Sequence, residues 1–180
     1  KYDMNSKKIQ VRDFGKMYEK IKSQLNITAD ELNIEGLIIN TETLYFFQRG
    51  NGTQGKNGII YANDDAENQQ FKFVPFDLPK IKNVSATFTD AVLVNDTIYF
   101  LASAEDTTST YLDGEVLGSI IGTIDVKTMT LTGSVQISAK NKFEGLTLYK
   151  QSENEIEFLL CEDTDSDVLE SNIYKLVIRD

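Results

Sequence analysis

One phrase recurs along this chain. Glu35-Gly36-Leu37 returns as Glu144-Gly145-Leu146, and the related Thr89-Asp90-Ala91 stands almost midway between them. Each copy leads into a short apolar run, an acidic or Asn turn and a second apolar run. Counted at the acidic residue, the spacing is 55 from Glu35 to Asp90 and 54 from Asp90 to Glu144. A self-similar period of that length marks stacked supersecondary units and suits the four-stranded blade of a β-propeller.

Period-two alternation fills in the strands. The first repeat offers them at residues 36–39, 44–48, 58–62 and 71–74, and the second at 91–94, 97–102, 119–125 and 130–137. Asn95-Asp96 and Lys127-Thr128 supply tight turns in the second repeat. The third repeat has three strands, at 145–149, 155–161 and 172–178. The tyrosine and phenylalanine runs Tyr45-Phe46-Phe47 and Tyr99-Phe100 fall in equivalent second strands and are read as core between blades.

The N-terminal part differs in period. Residues 8–12 alternate like a half-buried strand, and Phe14, Met17, Tyr18, Ile21 and Leu25 then lie on one face of a helix. The expected fold is all-β: a partial β-propeller with about three four-stranded blades and one short N-terminal amphipathic helix. Residues 1–30 hold the strand and helix, and residues 31–180 form one domain of blades at roughly 33–80, 88–138 and 142–180.

Three blades do not close a ring, because each blade buries its faces only against neighbours. Two completions are expected. The chain, which starts at Lys1, is the C-terminal part of a longer propeller in which residues 8–12 belong to an earlier blade; or a second copy supplies the missing half, with the N-terminal strand completing the open last blade.

Composition narrows the chemistry. With 18 basic and 28 acidic residues the net charge is −10, which would repel a phosphate backbone and excludes nucleic acid as a partner. The first 24 residues carry seven basic and three acidic side chains, +4, leaving −14 for the rest. No apolar run approaches the length of a membrane span. The absence of His removes Ser-His-Asp triads, Cys-His pairs and His-ligated zinc, so any metal would be bound by oxygen. Cys161, the only cysteine, is read as a core residue.

Propeller topology places the start of each first strand and the loop after each second strand on one face. That gathers Glu35, Asp90 and Glu144 at the channel mouth with the loops 49–57, 103–118 and 162–171. Carboxylates in such a ring are relieved by solvent, by Lys or Arg, or by a hard cation such as calcium. Alternatively, the repeated acid accepts backbone N–H bonds from the adjacent blade. Arg49 and Asn51 complete the candidate ligand-binding set with these three acids.

Two tempting motifs fail on context. Gly50 to Gly55 matches G-x-G-x-x-G, but the chain returns directly to a strand, with no helix N-terminus for a pyrophosphate. Asp163-Thr164-Asp165-Ser166-Asp167 opens like an EF-hand loop but has Val168 where Gly is required, leaving at most a looser calcium site at Asp163 and Asp165.

The stretches 32–37, Gln48-Arg49-Gly50-Asn51-Gly52, 114–118 and Phe143-Glu144-Gly145-Leu146 resemble uncharacterised bacterial propellers of the phytase-like group. The resemblance implies a six-bladed ring and calcium ions on an acidic face, with Glu35, Glu144, Asp163 and Asp165 as ligands and Arg49 as a phosphate contact. The function expected is binding of a small ligand, a partner protein or calcium at the acidic face. The alternative is a calcium-dependent hydrolase of phosphate esters or lactones.

Overall fold

A computed structural model describes residues 2–3, 5–63, 68–106, 114–164 and 170–179 of the chain. Its strands are β1 (Tyr2–Asp3), β2 (Lys8–Ile9), β3 (Ile34–Asn40), β4 (Thr43–Gln48), β5 (Gly58–Asn63), β6 (Lys72–Pro75), β7 (Lys80–Ile81) and β8 (Val84–Ser85). They continue with β9 (Thr87–Val94), β10 (Thr97–Asp106), β11 (Glu115–Asp125), β12 (Thr130–Ser138), β13 (Lys142–Gln151), β14 (Glu155–Asp163) and β15 (Ile173–Arg179). One helix, α1 (Gly15–Leu25), precedes β3.

The protein is all-β apart from that helix. Sheet A is the antiparallel meander β3-β4-β5-β6, sheet B is β9-β10-β11-β12, and sheet C is β13-β14-β15; none is closed. Their first strands lie side by side, with β9 flanked by β3 and β13. Sheet B packs between A and C, because its central strands β10 and β11 carry buried apolar residues on both faces.

Two cores hold the sheets together. Between A and B, Phe88 is the hub, with its ring 5.3 Å from Phe47, 5.8 Å from Phe76 and 5.0 Å from Phe100, all edge to face. Between B and C, Leu101 and Ile121 meet Phe143, Leu146, Phe158 and Leu160. A third cluster lies on the far side of A, where Met17, Tyr18, Ile21 and Leu25 of α1 cover Leu44, Phe46, Ile60 and Ala62. The stripe read from the sequence therefore packs on the body of the fold. The helix stops at Asn26, which adopts the left-handed conformation with φ 53°.

Pairing registers change the alignment of the repeat by one residue. Each first strand carries a β-bulge, and the residue left unpaired is Glu35 in A, Thr89 in B and Glu144 in C. Thr89, not Asp90, is therefore the counterpart of the two glutamates, and Asp90 corresponds to Gly36 and Gly145. The phrase itself aligned correctly; counting at the acidic residue shifted it, because charge is conspicuous in sequence and a bulge is not.

Two further expectations are corrected. Only Lys8–Ile9 of the segment 8–12 is strand, paired with Tyr2–Asp3, and Ile9 and Val11 are 74% and 90% exposed rather than half-buried. A two-residue ladder has too few hydrogen bonds and no sheet face to pack on. Cys161 is exposed, because it lies on the face of C turned away from B.

Candidate functional site

The bulges determine where the charges meet. An unpaired bulge residue is re-aimed out of the pleat, and Glu35 and Glu144 turn toward the guanidinium of Arg49, which directly follows β4. Arg49 Nη1 lies 3.5 Å from Glu35 Oε1 and 3.4 Å from Glu144 Oε1, while Nη2 donates to Glu105 Oε1 at 2.5 Å. One side chain thus touches all three sheets. Lys142, at the start of β13, lies 3.4 Å from Glu105, 3.2 Å from Glu144 and 3.7 Å from Asp163. Both cations are buried, with side chains 6% and 4% exposed.

Burial and pairing oppose each other here. Burial works against the Arg49 charge, but Glu105 first and then Glu35 and Glu144 outweigh it, so its pKa is raised. Burial raises the pKa of Glu144, and Lys142 and Arg49 offset that rise only in part. Asp90 is also pushed up by burial, against hydrogen bonds that favour its anion. Its Oδ2 accepts from Leu146 N at 2.7 Å and its Oδ1 from Ala91 N at 2.8 Å. This carboxylate pins sheet C to sheet B. The inter-blade acceptor role expected of the repeated acid is thus found at Asp90, whereas Glu35 and Glu144 serve Arg49.

Asn51 lies close by, its Oδ1 accepting from Asn33 Nδ2 at 3.2 Å. The loop that carries it is filled by the protein's own carboxylate. Glu31 accepts from Thr53 Oγ1 at 2.8 Å and from Gln54 N at 3.2 Å, and a Cβ on Gly52 would meet its Oε2 at 2.5 Å. The inside of the glycine-rich loop is thus occupied by an internal anion, Glu31.

Beside this cluster is a cavity of about 190 Å³, lined by Arg49, the backbone turn Gly50 to Gly52, Val84, Ser85, Thr87 and Glu105. Among the described residues, Arg49 Nε is the buried side-chain polar atom without a hydrogen-bond partner. Buried donors are normally satisfied, so this one is an exception within an otherwise paired cluster.

Of the expected calcium ligands, Glu35 and Glu144 converge, but on a guanidinium and an ammonium. Asp163 stands at the edge of the cluster beside Lys142, and Asp165 lies outside the described residues. Among the described residues no three acidic groups are placed to hold a metal ion. The donor set does not fit calcium, because two buried cations already share the inward-facing oxygens and would repel a third positive centre. Lys142 was missed in the sequence; nothing in its spacing distinguishes it from surface lysines. Glu105 was visible only as one acid of a loop.

Three meander sheets built on one repeated phrase, with a buried charge cluster where they meet, define a β-rich repeat protein. The chain belongs to the DUF6929 family, a family of unknown function, which matches residues 1–178. No curated protein matches it. No described helix is long and apolar enough to cross a membrane.

Proposed function

We propose that the three sheets are consecutive blades of a β-propeller and that the protein is a non-catalytic binding module. Its cavity beside Arg49 takes a small polar ligand, uncharged or cationic, that offers a hydrogen-bond acceptor. The blade reading is supported by the meander order, the adjacent first strands and a bulge at the same position of each repeat. The single observation that carries the ligand reading is that Arg49, whose buried Nε has no hydrogen-bond partner, lines a cavity together with Val84, Ser85, Thr87 and Glu105.

Charge selects the ligand class. Glu35, Asp90, Glu105, Glu144 and Asp163 outnumber Arg49 and Lys142, and both cations are already paired. A phosphate monoester would add negative charge to an acidic, half-desolvated site. That weighs against the calcium-dependent hydrolase acting on phosphate esters. Thr87 Oγ1 in the cavity wall donates to the Ser103 carbonyl at 3.5 Å rather than to a base, and the chain has no His to activate a hydroxyl.

The test is a thermal-shift and calorimetric series with neutral sugars, simple amides, alkylamines and inorganic phosphate, each with calcium and with chelator. Neutral or amine compounds are expected to raise the melting temperature, and Arg49→Lys, which keeps the charge but lacks Nε, is expected to lose the effect. Stabilisation by phosphate that depends on calcium would overturn this reading in favour of the hydrolase.

A further inference from the structure

The connection from β4 into β5 carries two Asn-Gly pairs, Asn51-Gly52 and Asn57-Gly58. In an unfolded chain the two are chemically alike: glycine puts no side chain in the way when its main-chain nitrogen approaches the preceding side-chain amide. The fold separates them.

Asn57 is closed on every side. It is 8% exposed, its Nδ2 donates to the Phe76 carbonyl at 3.0 Å, and its Oδ1 accepts from Phe88 N at 3.0 Å. Phe76 N donates in turn to the Asn57 carbonyl at 3.0 Å, and Gly58 enters the β5 ladder opposite Gln48 and Pro75. Turning the Asn57 amide toward Gly58 N would break both side-chain bonds and leave buried polar groups unpaired.

Asn51 is open. It is half-buried and lines the cavity beside Arg49, a polar space large enough for water. Among the described residues neither its Nδ2 nor the Gly52 N–H donates to any group. Glu31 clamps the next two residues, Thr53 and Gln54, but bonds neither Asn51 nor Gly52. The Asn51 side chain makes its bond at the other end, where Oδ1 accepts from Asn33 Nδ2 at 3.2 Å. That donor polarises the amide carbonyl and stabilises the charge that gathers on Oδ1 when the carbon is attacked.

We infer that Asn51 is a site of spontaneous deamidation and that Asn57 is protected from it. Gly52 N gives up its proton and bonds to Asn51 Cγ; the Cγ–Nδ2 bond breaks, and Nδ2 leaves with that proton as ammonia. Water then opens the resulting succinimide ring. Attack at Cγ gives aspartate, and attack at the main-chain carbon of residue 51 gives isoaspartate. Only water is consumed, and nothing is oxidised or reduced.

The product changes the loop in two ways. A neutral amide in the cavity wall becomes a carboxylate, which further disfavours anions there; this consequence alone rests on the ligand reading. Isoaspartate also adds a methylene to the main chain, beside Gly50, which packs so closely that a Cβ on it would meet Asn57 N at 2.2 Å. The lengthened turn therefore loosens the contact between Gly50 and Asn57.

The test is peptide mapping by mass spectrometry of the full chain held at mildly alkaline pH, folded and in guanidinium. Trypsin cuts after Arg49 and Lys56 and so puts the two asparagines in separate peptides, 50–56 and 57–72, with fragmentation assigning the residue. In guanidinium both are expected to convert at similar rates. In the folded chain Asn51 is expected to stay within about tenfold of its unfolded rate, and Asn57 to fall about a hundredfold or more, since it reacts only through local opening. Stronger protection of Asn51, or a slowing of Asn57 no greater than that of Asn51, overturns the inference. Neither result bears on ligand binding, which the mapping does not involve.

Discussion

Arg49 and Glu144 are 95 positions apart in sequence and 3.4 Å apart in the fold. The contact joins the end of the second strand of sheet A to the bulge of sheet C, two sheets away, and it exists because β9 holds β3 and β13 on either side of itself. Removing the guanidinium leaves Glu35, Glu105 and Glu144 facing one another with only Lys142 between them. Arg49→Ala is therefore expected to lower the unfolding free energy by about 3–5 kcal/mol, as for other buried ion pairs deprived of one partner. Urea titration measures this; a loss within experimental error would show that the cluster is not structural.

The two raised carboxyls give a pH dependence with a definite sign. Asp90 and Glu144 bind a proton more readily folded than unfolded. Their contribution to stability is therefore fully present below the ordinary carboxylate range and is lost as pH rises through the raised values. Glu144→Gln removes this titration. Between about pH 4 and pH 7, its unfolding free energy should improve relative to wild type as pH rises. A flat or declining difference would contradict the direction assigned to Glu144.

Two glycines test whether the outer face of sheet C is open. A Cβ on Gly122 would meet Phe100 Cζ at 2.3 Å inside the A–B core, and one on Gly145 would meet Cys161 Sγ at 2.2 Å. Phe100 is locked by Phe88, whereas the Cys161 side chain can swing toward solvent. Gly122→Ala should cost about 1–3 kcal/mol by overpacking, and Gly145→Ala at most about 0.5 kcal/mol. Equal costs in paired chemical denaturations would mean that the Cys161 face is confined.

Phe88 is the hub of the larger core and the second residue of β9, aligned by the bulges with Ile34 in sheet A and Phe143 in sheet C. Its three edge-to-face contacts predict a loss of about 3–5 kcal/mol for Phe88→Ala. The decrease should appear as a lower denaturant midpoint with an unchanged slope. A changed slope would mean that sheets A and B unfold separately.

Much of the architecture was legible because strands and helices are periodic. The strands at 44–48, 58–62 and 97–102, the helix stripe through Ile21 and the aromatic core positions all follow from local alternation, which needs no partner to be recognised. The same holds for the repeat itself. What local pattern could not convey was partnership: which acid sits in a bulge, which lysine is buried and which glycine-rich loop is closed by its own glutamate.

The chain alone thus determined an all-β repeat of about 54 residues, an amphipathic helix before it, and the acidic residues Glu35, Asp90 and Glu144 at its recurring phrase. Only the tertiary structure decided that Thr89 rather than Asp90 occupies the repeated bulge, that Asp90 accepts the Leu146 N–H, and that Arg49 and Lys142 lie among the acids. The reason is physical. Hydrophobic periodicity is written into neighbouring residues, whereas the charge state and role of a carboxylate depend on burial and on groups brought to it from distant parts of the chain.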